Sequence, residues 1–294
     1  MKEVVLTADD FGLTPGVNQG ILEAHRAGLV NRASIMSTGL AFVDAVALAR
    51  AHPTLAVGLH VALTCGRPAS PMPALTNPDG AFRNRPWRVG WRMLLHVLPV
   101  GQVEQELRAQ IERPLALGLR PAHLDSHHHI HLLPGLLPMV LRLAREYEIP
   151  ALRLPDESAY LRAWRLRGRR APAGGSVAAG PGAAALGRSL VITLLARRAA
   201  PLIRAAGFQT ADAFLGIAFH WALPPAQVVQ TLRYLPEGRT EIACHPGHPD
   251  PLLRQLGLRL VEQRAAELQA LSQPWAREAL GRAGVQGTCA QEAR

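Results

Sequence analysis

The chain has 294 residues, of which 48% are apolar, enough to bury a full core within one large domain. Its formal net charge of +10 suits an anionic partner, but aromatics are only 5%, and no recognition helix or stacking-rich strand pair accompanies the charge, which argues against nucleic acid. Cys65, Cys244 and Cys289 are odd in number and far apart, so they make neither a disulfide framework nor a Cys-x-x-Cys metal site. With no apolar leader at the start and no uninterrupted apolar run of about 18 residues, the expectation is a cytoplasmic protein.

Residues 4–8 form a short apolar run that stops at Asp9-Asp10-Phe11-Gly12 and reads as a buried strand with two carboxylates at its C-terminal end. Adjacent carboxylates there are costly unless a cation or hydrogen bonds compensate them. Helical spacing over 16–28 ends at Gly28; residues 33–37 are strand-like and 42–51 helix-like. A third strand, 55–63, carries Gly58-Leu59-His60. Residues 65–99 are irregular and rich in Pro, Arg and Trp, an insertion over the site that contains a short helix. Trp87 and Trp91 read as an i,i+4 pair packed on the body, with a sugar-stacking platform as the alternative.

The spacing predicts a helix over 103–117, a strand over 121–125 and a helix over 136–147. Between the last two lies His123-Leu124-Asp125-Ser126-His127-His128-His129-Ile130-His131, five histidines in nine residues. Neutral imidazole is the commonest metal ligand near neutral pH, and three protein ligands with one open position are usual in a hydrolytic site. If extended, the segment points His127, His129 and His131 to one side and His128 to the other. A fifth strand, 151–154, ends in Arg153-Leu154-Pro155. The arginine-rich and Gly/Ala/Pro-rich stretch 162–188 reads as a mobile lid. Residues 190–206 read as a core helix, with an amphipathic helix on a membrane surface as the alternative. Strands at 213–217 and 240–244 flank a helix at 225–235, the second strand ending in His245-Pro246-Gly247-His248; 252–281 is helical and 283–294 frayed.

Seven strands, nearly all followed by helices and with polar residues at their C-termini, make an α/β fold: a closed or nearly closed, TIM-barrel-like β/α barrel of about seven parallel strands, with an open doubly wound sheet as the alternative, although the first strand lacks the glycine-rich dinucleotide turn. We expect a single domain over 1–272 with insertions at 65–99 and 162–188, and a tail over 273–294. The barrel mouth would gather Asp9, Asp10, His60, the histidine cluster, Arg153 and His245. A metal there lowers the pKa of a water toward about 7, a carboxylate can take that water's proton, and an acid opposite can protonate the leaving group.

Taken together, Thr7-Ala8-Asp9-Asp10-Phe11-Gly12, Gly58-Leu59-His60, the 123–131 cluster, Arg153-Leu154-Pro155 and Cys244-His245-Pro246-Gly247 resemble, in order, the motifs of the YdjC-like carbohydrate deacetylases. The resemblance runs from the N-terminus to about residue 250, and the middle and C-terminal parts are most similar to hopanoid-associated members. It implies a metal-dependent N-deacetylase on a distorted β/α barrel, often dimeric, in which Asp10, His60 and His127 ligate one zinc or magnesium ion. It also implies Asp9 as general base, His245 as general acid, and Arg153 orienting Asp9 or binding substrate. The substrate would be an N-acetylated sugar or a glycolipid, the latter bringing peripheral membrane contact. A phosphoesterase and a non-enzymatic metal- or anionic-surface-binding protein are the other readings.

Overall fold

The structure, a computed structural model, describes residues 1–82, 86–162 and 182–288. Its centre is β1, Lys2–Phe11, whose residues from Val4 onward are all buried. A strand with neighbours on both edges and layers on both faces must be apolar almost throughout, and this one is until Asp9. Around it run β2 (Arg32–Ile35), β3 (Ala56–Val61), β4 (Leu124–Ser126), β5 (Ala213–Leu215) and β6 (Gly238–Cys244), in the order β4-β3-β2-β1-β6-β5 and all parallel.

The helices are α1 (Pro15–Arg26), α2 (Phe42–Ala51), α3 (Pro86–Leu94), α4 (Val100–Ala116), α5 (Leu137–Glu146), α6 (Ala183–Ala205), α7 (Pro225–Leu232), α8 (Pro251–Gln255), α9 (Glu262–Leu271) and α10 (Pro274–Arg282). α1 begins with Thr14 as N-cap, accepting from the Val17 N–H, and buries Val17, Ile21, Leu22 and Ala24. Capping therefore claims neither Asp9 nor Asp10.

Two expectations change. Residues 151–154 do not form a full strand: Leu152 bridges Leu124 and Ala151 bridges Gln209, and nothing longer develops. Pro150 and Pro155 bracket the segment and remove the donors a ladder would use. The path along the sheet thus holds six strands rather than seven. A further strand, β7 (Val285–Thr288), joins the lower half of β1 at Lys2–Val4, where the expectation was fraying from residue 283. Of the expected lid at 162–188, residues 163–181 lie outside the described residues.

Parallel strands put all their C-termini at one end, so side chains far apart in sequence meet there. His60 and Asp125 are register partners across β3 and β4, and Ala8 pairs with Cys244, the residues just before Asp9 and His245. Gly58 is explained by the same packing: a Cβ there would lie 2.1 Å from Nδ1 of His123. We expect Gly58→Ala to lower stability by about 1–3 kcal/mol through overpacking, which urea unfolding would measure; a neutral substitution would show that β3 and β4 can separate freely.

Candidate active site

The two carboxylates at the end of β1 do not alternate as they would in a regular strand. Between Ala8 and Phe11 the register with β2 shifts, three steps on β1 against two on β2, and Asp10 takes φ 68, the left-handed region that non-glycine residues rarely adopt. This bulge lets neighbouring side chains serve one network, which two regular strand positions would send to opposite faces.

Asp10 faces two imidazoles. Its Oδ1 lies 3.3 Å from Nε2 of His60 and 3.1 Å from Nδ1 of His127, while its Oδ2 accepts a hydrogen bond from Nη2 of Arg264. Burial would raise the Asp10 pKa, but Arg264 and the two histidines hold it well below the usual carboxylate range. On its other side, His60 donates from Nδ1 to Asp125 Oδ1 at 2.6 Å. Burial disfavours its charged form, yet the Asp125 carboxylate and the hydrogen bonds to Asp10 and Asp125 prevail and raise it to about 10.

Asp9 is held differently. Its two oxygens accept from Nη1 and Nη2 of Arg153, both at 2.7 Å, a bidentate pair that fixes the carboxylate plane. The same guanidinium reaches Asp125 Oδ2 at 2.7 Å and donates from Nε to Glu241 at 2.9 Å. Arg153 is fully buried with all three nitrogens engaged, an arrangement for orienting carboxylates rather than for meeting a substrate. His245 stands at the rim, partly exposed, with Nε2 3.9 Å from Asp9 Oδ2 and its backbone N–H bonded to Glu267.

Three donors, Asp10, His60 and His127, offer ligand atoms within 4.8 Å of one another, and so do Asp9, His60 and Asp125. The first set suits a divalent ion better. Nδ1 of His127 and Nε2 of His60 face the same oxygen of Asp10, and His60 has its other nitrogen fixed by a carboxylate, as ligating imidazoles usually do. In the second set the Arg153 guanidinium already bridges Asp9 and Asp125, so a cation would have to displace it.

The profile of the YdjC-like protein family matches residues 3–282. The chain belongs to the YdjC-like family. A carbohydrate deacetylase from Geobacillus stearothermophilus is 33% identical over 284 residues, which cover 96% of this chain and 94% of that one. A carbohydrate deacetylase from Brevibacillus brevis is 48% identical over 149 residues, 50% of this chain and 58% of that protein's length. Among solved structures, a proposed cellobiose-phosphate cleavage protein from Enterococcus faecalis superposes with a TM-score of 0.71 at 28% identity, covering 97% of this chain and 95% of that one.

Of the rest of the histidine cluster in this YdjC-like protein, His123 and His131 are bonded inside the fold, away from the three donors. The segment is not extended but coils into a 3-10 turn, His127–Leu132, with His128 and His129 at positive φ, so the alternating pattern of sides does not apply. His131 bonds Ser126 Oγ and the Arg153 carbonyl, and burial brings it down to about 4. His123 bonds Ser34 Oγ, and burial beside Arg32 keeps it neutral. Cys65 and Cys244 are buried, and burial pushes the Cys65 thiol up to about 12, so neither is a nucleophile. Sequence reasoning missed Glu241, Arg264 and Glu267. Glu241 carried a signal, a carboxylate within an apolar strand. Arg264 and Glu267 carried none, because charges in an amphipathic helix are ordinary; here α9 turns both inward to hold Asp10 and His245.

Proposed function

We propose that this protein is a metal-dependent carbohydrate N-deacetylase, hydrolysing the acetamide of an N-acetylglucosamine-type sugar. The observation that carries the reading is one clamped carboxylate, Asp9, and one partly exposed imidazole, His245, beside a three-donor set of Asp10, His60 and His127. The names of the Geobacillus and Brevibacillus relatives support it. A divalent ion held by that set would polarise the acetamide carbonyl and bring a water's pKa toward about 7. Two nitrogens and one carboxylate suit zinc or another first-row ion better than magnesium, which favours oxygen.

Asp9 acts as the general base. Arg153 fixes its plane through one lone pair on each oxygen, leaving the other lone pairs for the proton of the attacking water. His245 is the general acid: at 3.9 Å its Nε2 is beyond hydrogen-bond range of Asp9, so its proton is available to the departing amine nitrogen. Proton removal and proton delivery then fall to two separate groups, each placed for its own step.

The substrate we favour is lipid-linked, an N-acetylglucosaminyl lipid of the hopanoid type, with soluble chito-oligosaccharides as the competing class. Acetate release measured side by side on both should favour the lipid-linked sugar, stop on chelation and return with added zinc. No acetate from either class after metal loading would overturn the deacetylase reading. A two-ion phosphoesterase loses support because Arg153 occupies the place between Asp9 and Asp125 that a second ion would need.

A further inference from the structure

Two helices beside the histidine turn present their apolar residues the wrong way for a protein surrounded only by water. α3 buries Val89 and Met93, the latter against Gly135, and turns Trp87, Trp91 and Leu94 outward, with Leu95 just beyond its end. These four are 56–64% exposed, and their i, i+4, i+7, i+8 spacing makes one stripe. In α6 the inward face is built mostly of small residues: Ser189, Thr193, Ala196, Ala199 and Ile203 face the body, with Leu186, Ile192 and Leu195 half-buried beside them, while Leu190, Val191, Leu194 and Leu202 face out at 52–61% exposure. The rotation of α6 is fixed by polar contacts: Ser189 Oγ donates to the Glu157 carboxylate, and Thr193 Oγ accepts the Glu157 N–H. Glu157 in turn receives the N–H groups of Gly216, Ile217 and Ala218. The apolar face is therefore held outward and is no accident of a loose helix.

The charge on these helices is equally one-sided. α3 carries Arg88 and Arg92, α6 carries Arg188, Arg197, Arg198 and Arg204, and neither contains an Asp or Glu. Both helices pack on the turn His127–Leu132 that bears His127, so this basic, apolar rim borders the site. No helix among the described residues is long and apolar enough to cross a membrane.

We infer that the outward faces of α3 and α6 dock on an anionic lipid bilayer and hold the mouth of the site against it. Exposed tryptophans and leucines among arginines, without acidic residues, are the composition of a helix lying in the headgroup region. A second copy of the chain fits less well, because a two-fold contact through this face would set arginine against arginine. The inference rests on the deacetylase reading only for what the bilayer would supply, a membrane-held glycolipid.

The test is cosedimentation of the full chain with vesicles of phosphatidylcholine, alone or mixed with phosphatidylglycerol, at low and high salt. We expect binding to require the anionic lipid and to weaken with salt. Arg197→Gln and Arg198→Gln should each cost roughly fivefold in binding. The combined variant Trp91→Ser, Leu95→Ser, Leu190→Ser, Leu194→Ser should lose it altogether while keeping its circular dichroism and its acetate release from a soluble chito-oligomer. Equal or absent binding to both vesicle types would overturn the inference. So would a dimer in sedimentation equilibrium that the combined variant dissolves, since the face would then belong to a second copy. Loss of acetate release on every substrate, with vesicle binding intact, would sink the catalytic reading and leave the surface standing.

Discussion

Replacing Arg153 with methionine is expected to destabilise the protein by about 3–5 kcal/mol at neutral pH, because it leaves buried carboxylates without their shared cation. Asp9, Asp125 and Glu241 all converge on this guanidinium, and the side chain is fully buried. The pH dependence gives the cause away. In the wild type, burial opposes ionisation of Asp125, but Arg153 and His60 overcome it and hold the group below its ordinary pKa. That linkage contributes stability above the unfolded-state pKa and is lost as pH falls through the folded one. In the variant the clustered acids are pushed up instead, so protonation relieves them and the variant recovers as pH falls. The gap between the two proteins should therefore narrow from pH 7 to pH 5 in urea unfolding. A gap that stays constant would mean the loss is one of packing volume and not of charge. Arg153→Lys, which keeps the charge but not the fork, should recover much of the stability and less of the activity, since Asp9 would no longer be gripped by both oxygens.

Much of this site was legible because parallel strands convert position in sequence into position in space. Asp9, Asp10, His60 and His245 each follow or close an apolar run, and a sheet whose strands all point one way carries such residues to a common end. What could not be read were the features that depend on how the chain departs from regularity. The bulge at Asp9 and Asp10 leaves little mark in the sequence, since an aspartate favours a positive φ far more weakly than a glycine would. The 3-10 turn at His127–Leu132 is likewise silent, because imidazoles have no periodicity of their own. Residues 151–154 read as a strand from their apolar content, but prolines on both sides limited them to isolated bridges. Trp87 and Trp91 have the expected helical spacing, yet they face outward; spacing reports which residues share a face, and composition alone does not say what that face meets. α6 makes the point more sharply: its leucines suggested a core helix, yet Ser189 and Thr193, bonded to a single buried glutamate, take the inward face and leave Leu190, Leu194 and Leu202 outward.

The neighbouring carboxylates should separate cleanly by substitution, even though they differ by one position. Asp9→Asn is expected to retain the ion and lower kcat by about 10²–10⁴-fold, the usual contribution of a general base. Arg153 keeps Asp125 and Glu241 in that variant, so the fold should persist. Asp10→Asn should lose the ion, because Oδ1 of Asp10 is the atom both imidazoles face. Asp125→Asn falls between them. It leaves the three donors in place but weakens the acceptor that fixes the His60 tautomer, which should lower metal affinity by about 10–100-fold. Equilibrium dialysis against a competing chelator ranks all three without reference to activity. If Asp9→Asn and Asp125→Asn both lose the ion while Asp10→Asn keeps it, the cation belongs to the other donor set, and Asp9 cannot be the base. The expected order follows from Arg153: a guanidinium already bonded to Asp9 and Asp125 excludes a second cation from their side of His60, and directs it to the side of Asp10 and His127.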